Sequence, residues 1–450
     1  MGTATMREQV VLLFDYYHGE SKSLHKSFQL AKMDYPAVVI EDDGFLPESV
    51  MSVYGYYLGD YKNSPRGMGR PRYFNQLEIP EYWEISSSNL SGLVMDKDHT
   101  RARIFYSTPT HQRYIQTVDW LDERGNVRYS DHYNRYGAVY ARTTFDSKGK
   151  RVMKSYFSAD GEEMIVENLI TRDILLNQNK TVRIFNNKTE FVVHVLQEMG
   201  FGQYGFYFNS LSTPFFVSCS LPGDRKSDVL FWQEPVADAI PGNMKMILNG
   251  DTPRMKCIYV QKRNAYQRLM ELGADSAMVK PKGYVYPFRR ENRHRRTALI
   301  CTNSDQLEQI DGLISALPQV EFHIAALTEM SSKLMEKGKH PNVRLYPGAK
   351  LDMIGKLFRK CDIYLDINHG NEIVMAVQRA FLHNQVIYAF RNTLHNENFL
   401  PKEQIYQPEE AERMAEDIRA VIADPQQMDL RIHHQMVIAM AETADSFLTM

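Results

Sequence analysis

CDIYLDINHGNEIVMAVQRAFLHNQVIYAF, residues 361–390, reads as a strand, a turn, a helix and a second strand. The apolar run CDIYLDIN is the first strand, HGN the turn, the helix begins near Glu372, and QVIYAF is the next strand. In open α/β sheets ligands sit beyond the carboxyl ends of the strands, so Asn368, His369, Gly370, Asn371 and Glu372 form the first candidate site. A helix start at Glu372 would offer backbone N–H groups to an anion, and Gly370 would allow close approach. His369 can stack on a ligand or donate to it, or can cap and pack locally; its residue type alone does not decide.

Outward from this stretch the same theme recurs. TALICTN, EFHIAAL and NVRLYPG precede DIYLDIN and QVIYAF, with helices beginning near Asp305, Ser331, Leu351 and Glu372. Five strands with intervening helices predict a doubly wound domain over residues 289–450, closed by two helical stretches after Pro408. The terminal helix is expected to lean back across a cleft between two such domains. PKGYVYPF and the basic RRENRHRR, ending at residue 296, connect this domain to what comes before. The basic run suits a solvated linker, or a phosphate contact.

Toward the N-terminus VVLLFDYY, a helical stretch from Glu20 to Leu30, and PAVVIEDDGF again alternate strand and helix. The pattern breaks near Gly59 and resumes at Lys188, with VLFWQE and CIYVQK as further strands. Between them lie short aromatic and β-branched runs punctuated by LDERGN, FDSKGK and FSADGEE, turns suited to hairpins closed by a left-handed glycine. The expected architecture is therefore α/β: a first Rossmann-like domain over 6–60 and 188–288, an antiparallel β-meander inserted at 61–187, and a second Rossmann-like domain over 289–450. Strands such as AVYARTTF carry large side chains on both faces. The meander thus rests on its parent domain or meets another protein; for the second case Trp120, Tyr133, Tyr136 and Tyr140 are the expected interface, with Tyr140 on an exposed face.

Composition narrows the function. The 450 residues suit two or three domains, and 43% hydrophobic with 24% charged residues is ordinary for a folded chain. A net charge of −2 gives no global pull toward nucleic acid. Cys219, Cys257, Cys301 and Cys361 form no CxxC pair, and no metal or cofactor site is expected. Neither a signal segment nor an apolar run of membrane-spanning length is found, which places the chain in the cytoplasm; peripheral association with the inner membrane face through a complex stays open. GxSxG, HExxH, Walker A and GxGxxG are absent. The loop Asp42, Asp43, Gly44 follows a strand and, with Trp232, is expected to face the cleft; a turn entering a helix explains the loop equally well.

The segment 361–390 resembles the donor-sugar segment of retaining glycosyltransferases with two Rossmann-like domains, the GT-B fold. That resemblance implies two glutamates eight positions apart, and aligning Ala380 with the small residue after the second puts Asn371 and Arg379 at those positions. Active relatives also carry a glycine-arginine pair and a lysine after the first strand of this domain, where this chain has CTNSDQLEQ. Losing two charge-assisted hydrogen bonds of about 1.5–3 kcal/mol each costs roughly a hundredfold to ten-thousandfold. LFDYYHGESKSLHKSF (13–28) and EDDGFLPESVMSVYGYY (41–57) are more specific. Through them the chain resembles the GtfB-type stabilising subunits of the O-GlcNAc transferase that modifies serine-rich repeat adhesins for the accessory Sec system. The resemblance implies a non-catalytic co-subunit that stabilises a GtfA-like catalytic partner, pairs with it through the meander, and binds the Ser/Thr-rich acceptor. The alternative is an active retaining glycosyltransferase that uses Glu372 for the donor and Arg379 for phosphate.

Overall fold

The computed structural model describes residues 9–178 and 180–450. By internal contacts the chain forms two compact units, one built mainly from residues up to 260 and from Tyr266–Lys280, the other mainly from Pro281–Met450. Short pieces of the first half, Lys26–Met33 and Gln261–Ala265, belong to the second unit.

The first unit holds a parallel sheet whose centre is the strand Val10–Tyr16. Ala37–Glu41 and Val50–Ser52 lie on one side of it; Gly205–Phe208, Asp228–Trp232 and Met255–Val260 follow on the other, with Val279–Pro281 at the edge. Val10–Phe14 and Gly205–Phe208 are buried throughout, as expected of strands covered on both faces. Asp228 is fully buried at the start of its strand and is held by Arg254, whose Nε and Nη2 each donate to it at 2.9 Å.

The same unit contains a ten-stranded antiparallel sheet running from Glu84–Ser87 to Thr181–Phe185, each strand paired with its sequence neighbour. Its hairpins form where the Asp and Gly residues stand. Asp122 accepts from the backbone N–H of Arg124 and Asn126, Asp146 from those of Lys148 and Lys150, and Gly125, Gly149 and Gly161 take the left-handed conformation. One face packs Val94, Ala102, Ile104, Val118 and Tyr133 into a core, and by alternation Leu93 and Phe105 point to the other side, where both are exposed.

In the second unit a six-stranded parallel sheet runs in the order Val343–Tyr346, Glu321–Ala326, Thr297–Thr302, Ile363–Asp366, Val386–Phe390, Ile405–Tyr406. The five expected strands are present, joined by the two-residue strand Ile405–Tyr406 that sequence reading missed. Three helices rather than two close the chain: Ala411–Ala423, Pro425–Ile438 and Ala444–Leu448. Phe447 of the last packs edge-on against Phe28, at 5.3 Å between ring centres.

Two helices begin later than expected. The first starts at Ile310, not Asp305, because Leu307 bridges to Asn368 and the Glu308 N–H donates to the Ile367 carbonyl at 2.8 Å. The other starts at Ala376, not Glu372, because Val374 and Met375 are both left-handed, which an α-helix cannot accommodate. The basic run after Phe288 is only partly a solvated linker. Arg290 and Arg295 both donate to Asp362, which is fully buried, at 2.6 and 2.9 Å.

Candidate functional site

In the second sheet the strand order reverses between Thr297–Thr302 and Ile363–Asp366, which makes their carboxyl ends the switch point where such folds bind ligands. The turn picked out from sequence lies there. It is closed on itself. Thr302 Oγ1 donates to Asn368 Oδ1 at 2.8 Å, and the Gly370 N–H donates to the same oxygen at 3.1 Å. The Asn368 amide donates in turn to Asn303 Oδ1 at 3.1 Å and to the Asn371 carbonyl at 3.3 Å. A Cβ on Gly370 would overlap the Asn303 amide, so the close approach that glycine permits is already taken by the protein's own side chain.

The charged groups of the turn are engaged likewise. His369 Nε2 lies 2.7 Å from Glu308 Oε2, which also accepts from the Asn392 amide at 2.7 Å. The exposed Glu372 accepts from the Val377 N–H at 2.9 Å and so caps the helix Ala376–Leu382. That helix starts four residues past Glu372 and its Val377 N–H is already taken by the Glu372 carboxylate, contrary to the sequence expectation of a helix start at Glu372 open to an anion.

Behind the turn stands a pair that sequence reading missed. His395 Nδ1 is 2.6 Å from Asp366 Oδ1 and His395 Nε2 is 2.8 Å from the Gly370 carbonyl. Both partners are acceptors, so both ring nitrogens donate and the ring is an imidazolium. The hydrogen bond to Asp366 raises its pKa to about 9, against the opposing effect of burial. Asn371 remains on the turn, exposed, whereas Arg379 places its guanidinium over the Phe358 ring at 4.6 Å, toward the helix Leu351–Lys360. The turn therefore presents no carboxylate pair and no free cation to a diphosphate.

The first unit gathers its candidates differently. Asp42 Oδ1 accepts from the Gly44 N–H at 2.7 Å, and burial raises the Asp42 pKa above its ordinary value. Tyr140 donates its hydroxyl to the Asp42 carbonyl at 2.8 Å, and the Arg135 N–H donates to the Gly44 carbonyl at 2.8 Å. Gly44 has φ +82, and a Cβ there would meet the Tyr133 carbonyl at 2.5 Å. Two sets of residues assigned to different surfaces thus meet each other: the Asp42–Gly44 loop is clamped onto the antiparallel sheet by Tyr133 and Tyr140. The expectation of an exposed Tyr140 is corrected, since Tyr133 and Tyr140 are 6% and 4% exposed. Trp120 and Tyr136 are half-buried, Trp120 donating to Asp131 at 3.0 Å. Asp43 is exposed and caps the Phe45 N–H. Trp232 is buried at the end of its strand, and its indole N–H has no hydrogen-bond partner among the described residues. The switch point of this sheet lies instead between Val10–Tyr16 and Gly205–Phe208, where Ser210 donates to Asp15 at 3.0 Å. Among the described residues no cluster of His, Cys, Asp and Glu could hold a metal, and no helix is long and apolar enough to cross a membrane.

Four family descriptions match along the chain: "GtfB N-terminal domain" over 11–57, "GtfB middle domain" over 83–186, "GtfB third domain" over 188–272 and "GftB/GlyA-F C-terminal domain" over 298–435. A UDP-N-acetylglucosamine–peptide N-acetylglucosaminyltransferase stabilizing protein GtfB from Streptococcus pneumoniae is 42% identical, with 93% of this chain and 94% of the relative covered. The protein of that name from Streptococcus gordonii is 39% identical, with 93% of each covered. Among solved structures, a chain of a "GtfA/B complex bound to UDP and GlcNAc" is 38% identical, with 97% of this chain and 98% of that chain covered and a TM-score of 0.89. The fold is that of the GT-B glycosyltransferases.

Proposed function

This chain belongs to the GtfB family of peptide N-acetylglucosaminyltransferase stabilising proteins, and on that footing we propose that it is a non-catalytic co-subunit that stabilises a GtfA-like catalytic subunit and binds its Ser/Thr-rich acceptor polypeptide. The observation that carries the reading is the self-satisfied turn of the second unit. Asn303 fills the space at Gly370, Glu308 is engaged by His369 and Glu372 caps a helix, in keeping with the resemblance that puts Asn371 and Arg379 at the two acid positions of active enzymes. A diphosphate would have to displace these bonds and find no cation in return. Glu372, the acid an active transferase would need here, is the helix cap, so no observation favours that alternative.

Acceptor binding follows from the needs of the reaction. A low-complexity chain offers few anchors, and a second groove that holds it near the catalytic subunit raises its effective concentration without new chemistry. Asp43 in the first unit, and His369, Asn371 and Glu372 in the second, are exposed polar groups of the two loop sites, and each is a candidate for contacting it. In this reading the acceptor is an exported serine-rich repeat adhesin, and the complex works in the cytoplasm. The catalytic partner is taken up by the antiparallel sheet, through half-buried Tyr136 and the exposed face carrying Leu93 and Phe105, whereas Trp120, opposite Ala102, packs on the core-bearing face.

The test is reconstitution: a serine-rich peptide, UDP-GlcNAc, and each subunit present or omitted. This chain alone is expected to transfer no sugar and to raise transfer by the catalytic subunit at least tenfold. Transfer at enzyme-like rates by this chain alone would overturn the reading, as would a catalytic subunit indifferent to it.

A further inference from the structure

The basic run after Phe288 has a second role beyond clamping Asp362. Together with two helices of the second unit it lines a cavity of about 730 Å³ into which five arginines face, Arg289, Arg290, Arg293, Arg359 and Arg379, and no acidic residue. Only Arg290 is neutralised, by Asp362, which it shares with Arg295. Arg289, Arg293, Arg359 and Arg379 make no ion pair among the described residues. Two of the buried or partly buried arginines are paired, Arg254 with Asp228 and Arg431 with Asp417. In the cavity Arg379 is the half-buried guanidinium without such a partner, while Arg289, Arg293 and Arg359 are exposed.

The cations are also held close together. A Cβ built on Gly355 would lie 3.7 Å from Arg359 Nη1 and 3.7 Å from Arg379 Nη2, so both guanidiniums border the one gap that Gly355 leaves open. Arg379 is fixed by stacking on Phe358 at 4.6 Å, which orients its planar fork before any ligand arrives. Burial and the neighbouring Arg359 push the Arg379 pKa down. His383, in the wall, is likewise pushed down by burial and by Arg290, Arg379 and Arg289. Like charges gathered in a concave site with little counter-charge are relieved by an anion with several oxygens, beyond what solvent supplies, and planar guanidiniums match phosphate oxygens bidentately.

We propose that this arginine-lined cavity of the second unit is a binding site for a ligand carrying two or more phosphate groups, apart from the turn at 368–372. The shared chemistry is the phosphate cluster, which a free diphosphate or an anionic lipid headgroup could supply. The probe for the first is inorganic pyrophosphate, titrated calorimetrically into the full chain. The probe for the second is cosedimentation with phosphatidylglycerol vesicles against phosphatidylcholine vesicles.

Wild type is expected to bind pyrophosphate saturably and more tightly than inorganic phosphate, with affinity falling as salt rises. The double variant Arg359→Gln/Arg379→Gln should weaken it at least about tenfold. Its melting temperature should not fall, because the change relieves a like-charge contact. Should the double variant fail to fold, Arg293→Gln on the exposed linker carries the test, with a loss of about threefold to tenfold. Sedimentation with phosphatidylglycerol that the double variant abolishes and pyrophosphate reverses would identify a headgroup; pyrophosphate binding without it would identify a free ligand. No pyrophosphate binding at millimolar concentration, or binding unchanged by the substitutions, overturns the proposal.

Discussion

His395 shows how a single residue closes the turn where a donor would sit. Its pKa is raised to about 9 from the ordinary 6.5, so the stabilisation is complete below pH 6.5 and is lost as pH rises through 9. At neutral pH that shift corresponds to about 3 kcal/mol, which solvent screening of the partly exposed ring lowers to about 2 kcal/mol. His395→Leu is therefore expected to lower the urea-unfolding stability of the second unit by about 2 kcal/mol at pH 6 to 7, with the gap to wild type narrowing by pH 10. A gap that stays constant with pH would show that the ring does not act as an imidazolium. Gly370→Ala probes the neighbouring contact: the new methyl must expel the Asn303 amide, which takes with it the bond from Asn368, and should cost about 1–3 kcal/mol. Asn303→Gly should recover much of that cost in the double variant, and a thermal-denaturation cycle with no coupling between the two would refute the overlap. The turn itself was legible in sequence, because glycine and asparagine after a strand announce a tight connection. Its partners were not: Thr302, Asn303 and Glu308 come from the end of one strand and the loop after it, His395 from the loop after another, and only the fold brings them together.

Secondary-structure elements were legible where short-range chemistry dictates them and illegible where long-range contacts overrule it. The hairpins follow directly from Asp122, Asp146 and the left-handed glycines after them. The late helix starts at Ile310 and Ala376 do not, since a bridge to Asn368 and two left-handed residues hold those segments out of helix. The antiparallel sheet gives the sharpest case. AVYARTTF has substantial side chains on both faces, so alternation cannot say which face is covered, and Tyr140 was placed outside when it is 4% exposed beneath the Asp42–Gly44 loop. The consequence is measurable. Tyr140→Phe removes only the hydroxyl bond to the Asp42 carbonyl and should cost about 1 kcal/mol. Tyr140→Asp buries an unpaired carboxylate beside Asp42 and should cost about 3 kcal/mol or more, unfolding the first unit instead of selectively weakening partner association. Normal thermal stability for Tyr140→Asp would return Tyr140 to the surface.

The whole molecule keeps both Rossmann-like units and their switch points yet has spent the polar groups of the second on itself, which suits a subunit selected for binding and not for turnover. Its proposed task is thermodynamic. A protein that binds only the folded form of its catalytic partner stabilises that partner by mass action, by about 2.7 kcal/mol at a hundredfold excess over the dissociation constant. The partner's melting temperature should therefore climb with the logarithm of the concentration of this chain, without a plateau short of solubility. The surface responsible is expected on the exposed side of the antiparallel sheet, because the opposite side is filled by its own core around Val94 and Ile104. Leu93→Glu/Phe105→Glu changes two exposed side chains, 39% and 44% accessible, and should leave the melting temperature of this chain within about a degree. The same pair should move the partner's stabilisation curve to at least tenfold higher concentration, since a charge in a desolvated contact costs more than 1.4 kcal/mol. Coincident curves for wild type and the double variant, recorded by thermal shift on the partner, would place the contact on another surface of the first unit.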